Sequence, residues 1–220
     1  MLVVSLGGSL LYKDGKLNSD TVSTLSEVLH KAADGEKFVI VVGGGELARK
    51  YVHESREKNE SVYDQDMAGI RATRENGKLM AKAMQAQYVQ RINDIDGSFP
   101  ITVTGGQMVG MTTDAVAVLI AEKLGIKTVV NLSKVDYLYN DDPKKNENAK
   151  RYETLNHKQL TEIAAHFDNR EARTNFPFDL VACKLAQRSN ITVKFVNGFD
   201  KEEVQKALHG KTFKGTRVEN

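Results

Sequence analysis

Three glycine-rich corners stand out as candidates for binding anions. GGS at 7–9, GGG at 43–45 and GG at 105–106 each follow an apolar, strand-like run. Glycine lets backbone N–H groups approach an anion closely, and a helix that starts just behind adds the positive end of its dipole. Because ligands in open α/β sheets bind beyond the carboxyl ends of the strands, we expect the three corners at one edge of a sheet. Together they predict a site for more than one phosphate group.

Arg49 adds a positive charge close to the second corner. It lies four residues after Gly45, about one helical turn, so its guanidinium can fold back toward an anion held by the glycine amides. We therefore predict that Arg49 neutralises phosphate charge as the catalytic residue of the site. An ordinary solvated helix position is the alternative.

The second corner also matches a dinucleotide-binding fingerprint, since Gly43, Gly45 and Ala48 satisfy G-x-G-x-x-G/A. That fingerprint requires a further strand about 20 residues later, ending in an acidic residue for a ribose. Residues 53–69 are instead polar and helix-like. A nicotinamide-binding Rossmann fold is therefore not favoured. The P-loop pattern G-x-x-x-x-G-K-[ST] is absent as well.

A polar segment, LSKVDYLYNDDPKK at 132–145, is too long for a plain turn. Its aromatic and hydroxyl groups could contact a base while its lysines reach phosphates. The alternative is an ordinary surface loop that binds no ligand.

The elements that must position these residues alternate along the chain. Short continuous apolar runs are typical of strands covered on both faces, and they occur at 2–6, 37–42, 101–104, 127–132 and 191–196. Helices are predicted from near Asn18 or Asp20 to residue 33, over 112–124, and, in the polar stretch after residue 60, over 66–75 and 77–91. This order predicts an α/β sandwich with right-handed crossovers, and the lack of a linker predicts a single domain over 1–220.

Composition excludes several classes of protein. The 31 basic and 29 acidic side chains are mixed along the chain, giving a formal net charge of +2, so we expect no nucleic-acid partner. No run of 18 apolar residues suggests a membrane span. One cysteine, Cys183, and no zinc-type spacing of Cys and His predict no bound structural metal and a reducing cytoplasm.

The ordered set of motifs resembles the amino-acid kinase superfamily and, within it, the archaeal-type uridylate kinases. The resemblance covers nearly the whole chain. The segments that carry it are GGS at 7–9, VVGGGELARKY at 41–51, DMAGIRATREN at 66–76, TGG at 104–106, GMTTDAVAVLIAE at 110–122, KVDYLYNDDPKK at 134–145, FDLVACKLAQRS at 178–189 and GTRVE at 215–219.

This resemblance implies a three-layer α/β/α sandwich around a mostly parallel sheet, a hexamer built as a trimer of dimers, and transfer of the γ-phosphate of ATP, carried with Mg²⁺, to UMP. It also implies two sets of site residues. The implied ATP contacts are Gly8, Ser9, Gly45, Arg49, Ser133, Lys134, Tyr139 and Asp142. The implied UMP contacts are Gly44, Asp66, Gln107, Met108, Val109, Gly110, Met111, Thr112 and Thr113, with Asp66 on the ribose hydroxyls.

Two alternatives remain open at this point. One is another kinase of the same fold that acts on a carboxylate, a carbamate or a small phosphate. The other is a nucleotide-binding or storage protein with little transfer activity, motivated by Ser5, which stands where many superfamily members have a lysine. Asp66 and the TTD sequence at 112–114 favour a nucleotide acceptor.

Overall fold

A central eight-stranded sheet organises the molecule in the computed structural model, which describes residues 1–141, 146–167 and 178–220. The strands are, in chain order, β1 (Leu2–Leu6), β2 (Tyr12–Lys13), β3 (Lys16–Leu17), β4 (Phe38–Val42), β5 (Gln87–Tyr88), β6 (Ile101–Thr104), β7 (Thr128–Ser133), β8 (Leu138–Tyr139), β9 (Arg151–Tyr152), β10 (Thr154–Leu155), β11 (Thr192–Asn197) and β12 (Thr216–Val218).

The strand order of this sheet is β10-β12-β11-β7-β1-β4-β6-β5, and β11 and β12 form its one antiparallel pair. Two small hairpins, β2-β3 and β8-β9, lie outside it. The five runs predicted as strands from their apolar character are β1, β4, β6, β7 and β11. That prediction is confirmed, and it succeeded because strands covered on both faces are predominantly apolar.

Helices cover both faces of the sheet. They are α1 (Ser19–Ala32), α2 (Gly45–Glu57), α3 (Val62–Ala83), α4 (Thr113–Lys123), α5 (His157–Phe167), α6 (Leu180–Ser189) and α7 (Lys201–Leu208). One core joins α4, α5 and α6 to one sheet face, and a second joins α1, α3 and α7 to the other. Neighbouring strand residues point into opposite cores, as Val3 and Val4 do. The three-layer α/β/α architecture is therefore confirmed. None of the described helices is long and apolar enough to cross a membrane.

Side-chain caps fix where several helices begin. Asn18 accepts a hydrogen bond from the Thr21 amide at 3.2 Å, and Thr112 accepts one from the Ala115 amide at 3.1 Å. Such caps satisfy amides that have no partner within the helix. They confirm the predicted start of α1 and the predicted helix over 112–124.

The two helices predicted over 66–75 and 77–91 are wrong. A single helix, α3, spans Val62–Ala83, and residues 87 and 88 form the edge strand β5. Gly77, where the second of the two predicted helices was to begin, lies inside the helix. A Cβ there would come within 3.0 Å of the Tyr88 ring and 3.2 Å of the Thr104 carbonyl oxygen. This glycine allows α3 to pack closely against the sheet and does not end the helix.

Candidate functional site

The first two glycine corners meet at the carboxyl edge of the sheet. Strands β1, β4 and β7 are neighbours, and their ends are joined by backbone hydrogen bonds. The Gly7 amide donates to the Leu132 carbonyl at 2.8 Å, and the Gly43 amide donates to the Leu6 carbonyl at 2.8 Å. The predicted convergence of these corners at one edge is therefore confirmed.

Only glycine fits where the two corners touch. A Cβ on Gly8 would lie 2.2 Å from the Gly43 carbonyl oxygen, and one on Gly45 would lie 2.3 Å from the Gly8 carbonyl oxygen. Gly45 also has a φ of 56°, which L side chains rarely adopt. Gly44, at the N-cap of α2, has no side chain to cap the first turn. The first-turn amides of α2 can therefore serve an anion.

Buried polar side chains of α3 hold this glycine contact in place. The Asn76 side-chain amide donates to the carbonyl oxygens of Gly43 at 2.9 Å and Gly44 at 3.0 Å, and its oxygen accepts from the Tyr12 hydroxyl at 2.7 Å. Asn76 is 1% exposed. Sequence reasoning missed it, although a polar residue between buried Ala72 and Met80 on one helical face was a usable signal.

The third corner serves helix packing more than anion binding. The Gly106 amide donates to the Thr73 hydroxyl at 2.6 Å, so it is already occupied. A Cβ on Gly105 would lie 2.8 Å from the Thr73 carbonyl oxygen. These glycines let α3 approach the end of β6, and the chain then continues into residues 107–113.

A cavity of about 660 Å³ opens beside the glycine contact, between α2, α3, α6 and residues 106–113. It is lined by Ala48, Val52, Val62, Gln65, Asp66, Gly69, Ile70, Thr73, Gly106, Met108, Val109, Gly110, Met111, Thr112, Thr113, Asp179 and Val181. Seven of the nine residues predicted to contact UMP are among them. Of the other two, Gly44 packs against Ala48 and Thr73, which line the cavity.

The remaining predicted residue, Gln107, does not line the cavity. Its side-chain nitrogen donates to the carbonyl oxygens of Gln90 at 2.9 Å and Gly105 at 3.0 Å, and its oxygen accepts from the Ile92 amide at 2.8 Å. The Gln107 side chain therefore fastens the start of residues 107–113 to the backbone of residues 90–92. Arg74, which donates to the Gly106 carbonyl at 3.1 Å, holds the same part of the chain to α3.

Asp66 ties α3 to a tight turn at residues 108–111. Its carboxylate accepts a hydrogen bond from the Gly110 amide at 3.1 Å. The Met111 amide donates to the Met108 carbonyl at 3.3 Å, and Gly110 has a φ of 79°. That geometry fits the third position of a type II turn. Because a carboxylate has about four lone-pair directions, Asp66 can bind a diol while it holds the turn.

A buried carboxyl group lies at the start of α4. Asp114 Oδ1 accepts from Ser5 Oγ at 2.6 Å and from Asn131 Nδ2 at 2.8 Å. These bonds fasten α4 to β1 and β7. Burial raises the pKa of Asp114 to about 7, and the nearby negative charge of Asp179 acts in the same direction. Ser5, which was noted above as standing where many superfamily members have a lysine, is thus a hydrogen-bond donor to this carboxyl group.

Asp179 caps α6 at the opposite wall of the cavity. It accepts hydrogen bonds from the amides of Val181 at 2.9 Å and Ala182 at 3.1 Å, and from the Thr112 hydroxyl. The N-termini of α4 and α6 are thereby joined next to Thr113. Thr113 Oγ1 lies 3.5 Å from the position that a Cβ on Gly43 would occupy, so this hydroxyl faces the glycine contact.

Among the residues predicted to contact ATP, Ser133 adjoins the first corner, since its Cα lies 3.6 Å from the position that a Cβ on Gly7 would occupy. Ser133 ends β7, and its buried hydroxyl has no hydrogen-bond partner among the described residues. The Lys134 ammonium lies 6.0 Å from the centre of the Phe199 ring. Burial raises the pKa of Tyr139, whose hydroxyl donates to Asp136 at 3.3 Å. Asp142 lies outside the described residues.

Arg49 and Ser9 lie beside the same contact. The Ser9 amide nitrogen would be 2.8 Å from a Cβ on Gly45, so its backbone adjoins the start of α2. Arg49 is exposed, and a guanidinium nitrogen lies 3.9 Å from Glu46 Oε1, one turn back along α2. Its side chain folds toward the N-terminus of the helix but is not in the lining of the cavity.

A larger cavity, about 990 Å³, lies between α1 and the C-terminal end of α3, away from the glycine corners. Its basic lining residues His30, Lys31 and Lys82 occupy the last turns of these two helices. Cations there stabilise helix C-termini. We assign this cavity no part in the chemistry of the site.

Known proteins are similar to this chain over most of its length. The model of the amino acid kinase family matches residues 1–99 and 92–197. The chain is 33% identical to the uridylate kinase of Archaeoglobus fulgidus over 95% of each chain, and 33% identical to that of Pyrococcus abyssi over 99% of each chain.

Solved structures show the same similarity. The crystal structure of the Archaeoglobus fulgidus uridylate kinase superimposes with a TM-score of 0.82 over 99% of each chain, at 31% identity. The UMP kinase of Ureaplasma parvum shares the fold, with a TM-score of 0.80 at 22% identity over 100% of this chain and 98% of its own. Family match, full-length relatives and fold agree, and this chain belongs to the amino acid kinase family.

Proposed function

We propose that this protein is an ATP-dependent UMP kinase, which transfers the γ-phosphate of ATP to the phosphate of UMP and gives UDP. The observation that carries the proposal is the cavity that brings together Asp66, the 108–111 turn and Thr113, whose hydroxyl lies next to Gly43. Relatives of the same length that are named uridylate kinases support the identity of the acceptor.

In the proposed complex, UMP occupies the 660 Å³ cavity with its phosphate next to Gly44 and Thr113. Asp66 accepts hydrogen bonds from the ribose hydroxyls, because a carboxylate is well suited to a diol. The turn at 108–111 and Thr112 contact the rest of the nucleoside. Gln107 contributes through its hydrogen bonds to the loop and not through the ligand.

ATP occupies the other side of the glycine contact. Its phosphates lie against the amides of Gly8, Ser9 and Gly45, with Arg49 supplying positive charge after its side chain leaves Glu46. Its nucleoside lies along Ser133, Lys134 and Tyr139, and we extend this proposal to Asp142 from the sequence. The buried Ser133 hydroxyl, which has no hydrogen-bond partner in the part of the chain that the structure describes, supports a polar ligand at this end.

The reaction is an in-line phosphoryl transfer. A phosphate oxygen of UMP attacks the γ-phosphorus, the bond to the β,γ-bridging oxygen breaks, and ADP leaves. The attacking phosphate is already ionised, so no strong general base is needed. Alignment and neutralisation of charge by glycine amides and Arg49 supply most of the catalysis. Asp114 positions the start of α4, and with it Thr113, against the glycine contact.

In the proposed reaction Mg²⁺ arrives bound to the phosphates of ATP. The described residues contain no group of three or more His, Cys, Asp or Glu side chains that could hold a metal. When bound to ATP, Mg²⁺ neutralises charge on the β- and γ-phosphates.

Acceptor-dependent ADP release tests the proposal. The purified protein is given ATP and Mg²⁺ with UMP, CMP, dUMP, GMP, AMP, carbamate or acetylglutamate. We expect turnover with UMP well above turnover with the other acceptors. Asp66→Asn should raise KM for UMP at least tenfold with little change in KM for ATP, because a hydrogen bond to a charged group contributes a free energy of that size. ATP binding without turnover of any acceptor would favour a nucleotide-binding protein instead.

The proposed function also has implications for the metabolic pathway, the cellular compartment and the quaternary structure of the protein. UDP formation places the enzyme in pyrimidine nucleotide biosynthesis, and the single buried thiol of Cys183 is compatible with the cytoplasm. We propose a hexamer built as a trimer of dimers, supported by the sequence resemblance and by exposed apolar side chains such as Tyr63 and Phe99. Light scattering on the purified protein tests the hexamer, and a monomeric mass would contradict it.

A further inference from the structure

Helix α3 runs along the acceptor cavity from its glycine end to its far end. Positions on the helix therefore indicate how far each part of a bound nucleotide lies from the glycine corners. Thr73 marks the glycine end of the cavity, because its side-chain methyl group lies 3.4 Å from the position that a Cβ on Gly44 would occupy. Asp66 lies seven residues before Thr73, about 10 Å along the helix axis, and Val62 lies a further turn away, about 6 Å. This inference rests on the proposed function: with the UMP phosphate at the glycine contact and the ribose at Asp66, the base lies beside Val62.

Polar side chains at this far end are already paired. Gln65 is the one side-chain amide in the described lining. Its oxygen accepts from Arg56 Nε at 2.9 Å, and its nitrogen donates to the Glu60 carbonyl at 3.1 Å. Elsewhere in the cavity, the hydroxyls of Thr73 and Thr112 are likewise engaged, with Gly106 and Asp179. The Watson–Crick edge of a base is therefore left to the backbone of the 108–111 turn and to water.

Apolar side chains dominate the same end. Val62 and Met108 both line the cavity and are 74% and 59% exposed, so a bound base can cover apolar surface that otherwise faces water. The C5–C6 edge of a pyrimidine is its apolar edge, and burial of this edge against Val62 and Met108 removes apolar surface from water on both sides. Methionine is flexible and adapts to added volume, unlike a β-branched or aromatic wall.

We propose that Val62 and Met108 determine acceptor specificity by holding the C5 edge of the base, and that the enzyme consequently phosphorylates 5-methyl-substituted uridylates as well as UMP. A methyl group at C5 extends the apolar edge into a pocket with flexible walls. Burial of one methyl group between apolar side chains favours binding by about fourfold. Both ribose hydroxyls and the phosphate are unchanged in such an acceptor, so its contacts with Asp66 and the glycine corner persist.

The test compares kcat/KM for 5-methyluridine 5′-monophosphate and for UMP in wild type, Val62→Thr, Met108→Gln and Val181→Thr. The first two substitutions place a polar atom against the C5 edge at nearly constant volume. Val181→Thr is the matched control, because it makes the same change in the same cavity at the Asp179 end. Melting temperatures establish that all variants fold.

We expect wild type to use the methylated acceptor with a kcat/KM at least equal to that for UMP. Val62→Thr and Met108→Gln should each lower the ratio of the two kcat/KM values by about two- to fourfold, and Val181→Thr should leave the ratio unchanged. Turnover of UMP without turnover of the methylated acceptor, or an equal shift of the ratio in Val181→Thr, would overturn the inference. Failure of wild type to use UMP itself would refute the proposed function, which the UMP rates report separately.

Discussion

Asn76 provides a sharp test of how the glycine contact is held. In Asn76→Ala the side-chain amide is lost, together with its bonds to the carbonyls of Gly43 and Gly44 and to the Tyr12 hydroxyl. The Gly44 carbonyl keeps a partner, because it also accepts from the Ala48 amide at 3.1 Å. The buried Gly43 carbonyl loses the side-chain donor that reaches it.

The magnitude follows from these contacts. Leaving one buried carbonyl unsatisfied costs about 1–3 kcal/mol, and the other lost hydrogen bonds contribute roughly 1 kcal/mol more. We therefore expect the free energy of unfolding to fall by about 3 kcal/mol. For a chain of 220 residues, this corresponds to a decrease in Tm of about 6–12 °C. Asn76→Asp should cost at least as much, because it presents a second oxygen to two carbonyl oxygens.

Thermal unfolding and steady-state kinetics measure the effect. Tyr12→Phe is the control, since it removes only the hydrogen bond at the half-buried end of the network and should cost about 1 kcal/mol or less. The Asn76 variants should also raise KM for both nucleotides, because both bind at the contact that Asn76 supports. A Tm of Asn76→Ala equal to that of Tyr12→Phe would refute this account of the glycine contact.

Three further substitutions probe other parts of the structure. Gly8→Ala forces a Cβ to within 2.2 Å of the Gly43 carbonyl oxygen, so we expect loss of ATP binding in calorimetry or failure to fold. Asp114 has a folded pKa of about 7 against an ordinary value of 3.8, so its contribution to stability declines as pH rises from about 4 to 7. Asp114→Asn should therefore be more stable than wild type at pH 8, by up to about 4 kcal/mol, with the difference shrinking toward pH 5 in denaturation curves. Burial lowers the pKa of His157, so stability is fully present above pH 6.5 and is lost as pH falls below it. His157→Phe should reduce this loss of stability at acid pH, measured as the change in Tm between pH 7.5 and 5. A pH dependence of Tm equal to that of wild type would show that burial of His157 is not its cause.

Local signals in the sequence predict much of the fold. The strands that precede the glycine corners are mostly apolar because both faces of the sheet are covered, and β4 is apolar at every position. The caps at Asn18 and Thr112 have the residue types that helix starts prefer. These features depend on neighbours in the chain, which is why the sequence alone predicts them.

Features set by tertiary packing were harder to predict. Gly77 is typical of a helix break, yet α3 continues through it because the sheet lies too close for a side chain. Asn76 and Gln107 look like solvated polar residues, and their partners are backbone groups about 32 and 17 residues away in the chain. Arg49 was predicted to reach an anion from its spacing to Gly45, but its place outside the cavity lining is set by how α2 packs in the fold.

Direct identification of the products tests the central claim. The purified protein is incubated with ATP, Mg²⁺ and UMP, and the reaction is followed by phosphorus NMR. We predict that UDP and ADP appear in equal amounts while ATP and UMP disappear. Release of inorganic phosphate and ADP with UMP unchanged, or no reaction at all, would contradict the assignment of this site to phosphoryl transfer between nucleotides.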